Sequence, residues 1–66
     1  MIYSILEAHV RENVDNDNFI LEDGGRDWNA IELACYSECG TFFKDDAEFD
    51  QAFSEIVFQV GRELRG

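Results

Sequence analysis

The chain has 66 residues, with fifteen acidic and five basic side chains, a formal net charge of −10 and 45% hydrophobic residues. This length fits one domain over residues 1–66, and the apolar content, with six Phe, two Tyr and one Trp, excludes a disordered acidic tail. The charge argues against direct binding to DNA, RNA or an anionic membrane, because those surfaces attract lysine and arginine and repel carboxylates.

Residues 1–14 fit two structures. As a strand, the even-numbered residues from Ile2 to Val10 face one side; as a helix, apolar residues recur at three- and four-residue intervals. We favour the strand, because the next apolar run, residues 19–22, is too short for a helix and needs a strand to pair with. The polar residues 15–18 would then form the loop of a β-hairpin.

Residues 23–27 contain two consecutive glycines, which predict a turn that ends the second strand. A helix over residues 30–39 is predicted to follow. Asn29 and Glu32 have the spacing of an N-cap residue and its capping-box partner. Gly40 stands where a helix stop is expected.

This helix would direct Ile31, Cys35 and Cys39 inward. A third strand is the alternative, because Ile31, Leu33 and Cys35 also alternate along the chain. Residues 41–44 connect this element to the next, and we expect their paired phenylalanines to fill the joint.

The last third of the chain predicts a long helix over residues 45–65. Its apolar residues recur at three- and four-residue intervals and form one stripe, which consists of Phe49, Phe53, Ile56, Val57, Val60 and Leu64. Asp45 and Glu48 have capping-box spacing at its start. Acidic side chains in the first turns and Arg62 and Arg65 in the last turn suit the helix dipole.

Together these elements predict an α+β fold: a β-hairpin followed by two helices, with the long C-terminal helix packed on the sheet. The alternative is a three-stranded antiparallel meander with a C-terminal helix. Neither arrangement includes an internal repeat or a linker.

The sequence also bears on where the protein works. No apolar run is long enough for a transmembrane helix, and no signal peptide is visible. If their segment is helical, Cys35 and Cys39 lie one turn apart, where a disulfide fits poorly and closes only a very short loop. We therefore expect a protein of the reducing cytoplasm.

No motif predicts catalysis or a cofactor, so we expect the protein not to be an enzyme. His9, Cys35 and Cys39 could supply three ligands of a zinc site. Structural zinc motifs usually bring two close pairs of ligands, however, and this chain has one. No metal site is predicted.

The carboxylates are the main functional candidates. A small domain needs a net charge of only about 2–8 in magnitude for solubility, so a charge of −10 favours a basic partner protein. An aromatic residue on the polar side of the last helix adds a second candidate, because exposed aromatics rimmed by polar residues are typical of interface centres. The predicted partner-binding residues are Glu22, Asp23, Asp27, Asp45, Asp46, Glu48, Asp50, Glu55 and Phe58.

These features predict a small acidic inhibitor that occupies a basic, nucleic-acid-binding surface of a partner protein, with carboxylates in place of backbone phosphates. The size and charge profile resembles that of phage-encoded blockers of restriction or CRISPR nucleases, although no family motif matches residue by residue. One alternative is a homodimeric structural or regulatory domain that associates through Phe58. A metal-binding module that uses His9 and the two cysteines is the other.

Overall fold

The computed structural model describes residues 2–65, and over that range it contains three α-helices and no β-strand. The helices are α1 (Ile2–Val14), α2 (Trp28–Cys39) and α3 (Asp46–Leu64), and short 3-10 turns cover Asp17–Phe19 and Gly40–Phe42. The predicted α+β fold with its hairpin and sheet is therefore wrong, and so is the three-stranded meander.

The first segment forms the helix α1, and its buried side chains lie along one side of it. Leu6, Val10 and Val14 are buried and lie four residues apart along α1. A spacing of four places residues on one side of a strand as well as on one side of a helix, so both patterns fitted these positions. The strand prediction for residues 1–14 depended on a supposed pairing partner, and that partner does not form.

The polar stretch after α1 does not form a hairpin loop. Asn16 Oδ1 accepts a hydrogen bond of 2.9 Å from the backbone N–H of Asn18 and caps the 3-10 turn. Ile20 then pairs with Arg26 in a single antiparallel bridge. The predicted second strand is thus reduced to one bridge across a turn.

The turn predicted at residues 23–27 is confirmed. Gly24 has a φ of +88°, a backbone conformation that side-chain-bearing residues rarely adopt. Arg26 Nε donates to the Val14 carbonyl at 2.7 Å, and Arg26 Nη1 donates to the Gly24 carbonyl at 3.0 Å. Arg26 therefore ties the turn to the C-terminal end of α1 and satisfies a carbonyl that the helix leaves without a partner.

The helix α2 begins two residues before its predicted start. Asp27, and not Asn29, is the N-cap residue, since Asp27 Oδ1 accepts a hydrogen bond of 3.2 Å from the backbone N–H of Ala30. The α-helix ends at Cys39, next to Gly40, as predicted. Its buried side chains are the three predicted to face inward, so the alternative of a third strand is wrong.

The long C-terminal helix is confirmed. Asp45 Oδ1 accepts from the backbone N–H of Glu48 at 2.9 Å, while Glu48 Oε1 accepts from the backbone N–H of Lys44 at 3.3 Å. In an ideal capping box Glu48 would accept from the backbone N–H of Asp45, whereas here it accepts from the residue before Asp45. The predicted stripe faces the core with the addition of Ala52 and the exception of Leu64, which is 45% exposed.

The core lies between the three helices, and α1 packs against both α2 and α3. Phe49 is 1% exposed at its centre and stacks on Phe53 with ring centroids 5.9 Å apart. Tyr36 and Phe43 meet the Phe49 ring edge-on at centroid distances of 5.1 and 5.4 Å. Of the two phenylalanines predicted to fill the joint between α2 and α3, Phe43 packs against the core, whereas Phe42 remains 53% exposed.

Two polar side-chain contacts tie α1 to its neighbours. Arg11 donates through both terminal nitrogens to Glu63 of α3 at 2.8 and 2.9 Å, and its Nε donates to Glu7 at 2.9 Å. The hydrogen bonds from Arg11 hold the pKa of Glu63 below its usual value. His9 Nδ1 lies 2.6 Å from Glu38 Oε2 of α2.

None of the helices within residues 2–65 combines the length and apolarity needed to cross a lipid bilayer.

Candidate protein-binding surfaces

The carboxylates predicted to bind a partner have no cationic partner within the described residues. Between residues 2 and 65, Arg11 pairs with the carboxylates of Glu7 and Glu63, and His9 lies against that of Glu38. The eight predicted acids lie outside these pairs: Glu22, Asp23, Asp27, Asp45, Asp46, Glu48, Asp50 and Glu55. All except the half-buried Asp27 are exposed, so these carboxylates face solvent with no cationic side chain beside them in the described residues.

Besides Glu48, which belongs to the capping box of α3, three of these acids also have a local structural role. Asp27 and Asp45 are the N-cap residues of α2 and α3. Asp23 Oδ1 accepts a hydrogen bond of 2.8 Å from the backbone N–H of Gly25 inside the turn. The needs of the backbone therefore explain why a carboxylate stands at these three positions.

The acids of α3 do not form one continuous face. Asp46 accepts a hydrogen bond of 2.7 Å from the hydroxyl of Tyr36 on α2, and Asp50 faces Glu32, which also lies on α2. On the other flank, Glu55 faces α1, where it lies close enough to Tyr3 to affect its ionisation. Partial burial and then the charge of Glu55 raise the pKa of Tyr3.

Glu48 belongs to the α1 flank as well. With Glu55, it borders a shallow depression of about 350 Å³ whose other walls include Ile2, Tyr3 and Phe43. The predicted acids of α3 beyond its N-cap are therefore divided into two pairs, one towards α2 and one towards α1.

The pair towards α2 borders a groove of about 230 Å³, which we call the acidic groove. It is lined by Glu32, Leu33, Tyr36, Asp46, Phe49 and Asp50. Leu33 is 71% exposed and Tyr36 is 44% exposed, so apolar side chains lie open to solvent between three carboxylates. Such a groove suits an arginine or lysine, whose methylene stem packs on apolar surface while its charged end meets carboxylates.

The electrostatics of the acidic groove favour a cation. Partial burial, followed by hydrogen bonding to Asp50 and by the Asp50 charge, raises the pKa of Glu32. The hydrogen bond to Asp46 likewise raises the pKa of Tyr36. A bound guanidinium or ammonium group would offset the repulsion between these carboxylates.

Glu32 was not among the predicted site residues. The sequence suggested a capping role for it, because it follows Asn29 by three residues. Its proximity to Asp50 depends on how α2 and α3 pack, since the two residues are far apart in the chain. Helical spacing within α2 alone carries no signal for this contact.

Phe58 is exposed, as predicted, with 65% of its surface open to solvent. The guanidinium carbon of Arg62 lies 5.8 Å from the centroid of its ring. On the side of α3 that faces the turn is a groove of about 330 Å³, which we call the Trp28 groove. Its apolar lining comes from Trp28, Val57 and Leu64, and Gly61 and Arg65 border it as well.

The residues of the metal-site hypothesis are engaged in other contacts. His9 pairs with Glu38, and Cys39 Sγ lies 3.2 Å from the carbonyl oxygen of Cys35, to which it donates. Burial, and then the neighbouring Cys39, raises the pKa of the Cys35 thiol to about 12. Within residues 2–65 no three His, Cys, Asp or Glu side chains are grouped so as to hold a metal ion.

The geometry therefore contains two exposed surfaces in which charged side chains surround apolar ones: the acidic groove, and the outer side of α3 around Phe58. Both combine the features of protein–protein interfaces, namely exposed aromatic side chains with a charged rim.

Comparisons of the chain with protein-family models, with curated proteins and with solved structures found no match.

Proposed function

We propose that this protein is an acidic inhibitor that binds a basic, nucleic-acid-binding surface of a partner protein in the cytoplasm. The observation that supports this most directly is the absence of internal cationic partners for the eight predicted acids within residues 2–65. Their charge is available to a partner and, at −10 overall, it exceeds what solubility requires.

The acidic groove provides a way to hold the arginines that normally contact phosphates. An arginine donates two parallel hydrogen bonds to a carboxylate much as it does to a phosphate. Asp46 and Asp50 lie one helical turn apart, a rise of about 6 Å along α3, so two neighbouring cationic side chains can each meet a carboxylate. Leu33 and Tyr36 add apolar contact that a phosphate backbone lacks, which favours this protein over nucleic acid in competition.

The division of the α3 acids into two flanks also suits mimicry of a duplex. Asp46 and Asp50 lie on one side of the helix and Glu48 and Glu55 on the other. A helix with its side chains is about 10–12 Å across, which is comparable to the width of about 12 Å of the DNA major groove. Two rows of carboxylates at this separation can face the cationic residues that follow two phosphate strands.

The test begins with the purified protein as bait in host lysate. We expect a nucleic-acid-handling protein to be retained at about 0.1 M salt and released near 1 M salt, where the Debye length falls from about 10 to 3 Å. Double-stranded DNA should compete for the same surface of that partner. Retention of no basic protein, or of one that DNA does not displace, would contradict the proposal.

A matched pair of variants then locates the contact. The first carries Glu32→Gln and Asp46→Asn in the acidic groove. The second carries Glu12→Gln and Asp15→Asn, two exposed acids outside every predicted site, so both variants lose the same charge. We expect the first to weaken binding about tenfold or more and the second to have a much smaller effect. Equal losses would show that net charge alone, and not the groove, governs binding.

A further inference from the structure

The helix α3 has opposite charges at its two ends. Acidic side chains occupy its first half, Arg62 lies in its last turn and Arg65 is its C-cap residue, while Glu63 between them is paired with Arg11 of α1. Neither arginine lies within 4 Å of a carboxylate in the part of the chain that the structure describes, although the chain has fifteen acids. The helix dipole favours arginines at this end, but it leaves their hydrogen-bonding groups open to a partner.

The outer face of α3 presents an apolar centre between these charges. Ser54, Phe58, Gly61 and Arg65 recur at intervals of four, three and four residues, which places them on one side of the helix. Arg65 Nη1 lies 3.5 Å from the point that a Cβ on Gly61 would occupy, so the guanidinium covers this glycine. Ser54 is small, and the group over Gly61 is the end of a flexible arginine side chain that can turn towards a partner carboxylate, so a second helix can approach this face.

We propose that a second copy of this chain packs its α3 antiparallel against the outer face of α3, with Phe58 of each copy entering the Trp28 groove of the other. The two-fold axis passes between Val57 and Phe58. Asp50 of one copy then lies opposite Arg65 of the other, and Ser54 lies opposite Gly61, because each pair is equidistant from the axis. Such an interface is self-complementary, so the two copies form a closed dimer.

Charge decides the orientation. An antiparallel pair brings the acidic half of each α3 to the arginines of its partner, whereas a parallel pair would bring acids to acids and arginines to arginines. The net charge of −10 on each copy opposes association. At about 0.15 M salt, however, the Debye length of about 8 Å limits the effective charges to those near the interface, and these have opposite signs.

Phe58 provides the first test, by sedimentation equilibrium at about 0.15 M salt. The wild-type chain should dimerise with rising concentration, and Phe58→Ala should raise the dimer dissociation constant about tenfold or more. The matched control is Phe42→Ala, which removes a similarly exposed phenylalanine outside α3 and should leave the dimer unchanged. A wild-type chain that stays monomeric, or a control as damaging as Phe58→Ala, would overturn the proposal.

Trp28, the chain's one tryptophan, gives an independent signal from inside the groove. Entry of Phe58 from a second copy removes water from the indole, so its emission should shift to shorter wavelength as the wild-type concentration rises. The emission of Phe58→Ala should not change with concentration. A wild-type dimer with constant Trp28 emission would show that the groove is not part of the interface.

Exchanging charges tests the antiparallel register. Asp50→Arg places two arginines opposite each other at each end of the interface, and Arg65→Asp places two acids there, so each change should weaken the dimer. The chain with both substitutions should recover most of the affinity, because opposite charges again face each other. A doubly substituted chain that dimerises no better than the single variants would exclude this register. The groove variant Glu32→Gln with Asp46→Asn should dimerise normally, because Asp50 is the one acid of the acidic groove that the dimer uses and neither substituted residue lies in its interface.

Discussion

Gly40 lies against the ring of Tyr36, and this close approach explains a glycine where the backbone is ordinary helical, with φ −60° and ψ −30°. A Cβ at this position would lie 2.6 Å from Tyr36 Cδ1 and 2.8 Å from Cε1. Gly40→Ala must therefore displace the Tyr36 ring from its edge-on contact with the Phe49 ring. We expect the free energy of unfolding, measured by urea denaturation, to fall by about 1–3 kcal/mol.

Gly61→Ala is the control for that substitution. Its Cβ would meet only Arg65 Nη1 at 3.5 Å, an ordinary contact, and alanine is the better residue inside a helix. In dilute protein this change should raise the free energy of unfolding by about 0.5–1 kcal/mol. If both variants lost stability equally, contact with Tyr36 would not be the reason for glycine at position 40.

Some of these residue-scale features could be predicted from the sequence, and others could not. The turn with Gly24 and the cap by Asp45 follow from local chemistry, so the sequence was sufficient for them. The N-cap of α2 was misplaced because Asp27 and Asn29 are both good cap residues and only the path of the chain chooses between them. The close contact between Gly40 and Tyr36 depends on a side-chain position that no sequence pattern records.

At the scale of the elements, α1 shows why a short amphipathic segment is hard to assign. Its buried residues, Leu6, Val10 and Val14, satisfy strand and helix patterns alike. The choice of a strand for α1 therefore depended on residues 19–22 being its pairing partner. These residues form a turn with a single bridge rather than a strand. The assignment of α3 is not ambiguous in this way, because its apolar residues keep helical spacing over about four turns and do not alternate as a strand requires.

The contact between α2 and α3 carries a pH-dependent prediction. The pKa of Glu32 is raised by partial burial and by Asp50, so ionisation of Glu32 costs more in the folded chain than in the unfolded one. Above the raised pKa this difference lowers stability, and below the ordinary glutamate value of about 4.3 it disappears. Glu32→Gln should therefore raise the free energy of unfolding by about 0.5 kcal/mol at pH 7, with the gain fading as the pH falls to about 4.

Urea denaturation at several pH values measures this gain, and Glu22→Gln provides the control. Glu22 is exposed in the turn and belongs to none of the ion pairs found between residues 2 and 65, so its substitution removes one charge without removing the repulsion at Asp50. We expect a smaller stabilisation from it. An identical gain from both variants at pH 7 would mean that overall charge, and not the Glu32–Asp50 contact, is responsible.

At the scale of the whole molecule, composition predicted the amount of charge but not its arrangement. Whether the acids form one face depends on helix packing, and the packing places Asp50 beside α2 and Glu55 beside α1. The apolar centre of the acidic groove could not be predicted from the sequence either. Leu33 alternates with core residues in the chain, yet it is 71% exposed in the fold.

The uncompensated charge predicts how salt affects stability. The molecule measures 35 × 22 × 17 Å, and at about 0.01 M salt the Debye length of about 30 Å lets each carboxylate repel nearly all the others. At about 0.15 M the range falls to about 8 Å, which relieves this repulsion more than it weakens the short ion pairs of Arg11. Sodium chloride should therefore raise the melting temperature, and each kcal/mol gained corresponds to about 4–8 °C in a domain of this size.

Circular dichroism melts of the wild-type chain and of the variant with Glu12→Gln and Asp15→Asn measure this effect. The variant carries two fewer negative charges, so it should melt higher at low salt and gain less on addition of salt. Arg11→Gln should behave in the opposite way, because it removes a cation from between Glu7 and Glu63 and adds to the repulsion that salt relieves. A wild-type melting temperature that falls as sodium chloride is added would mean that ion pairs, and not the excess of carboxylates, dominate the electrostatics of this fold.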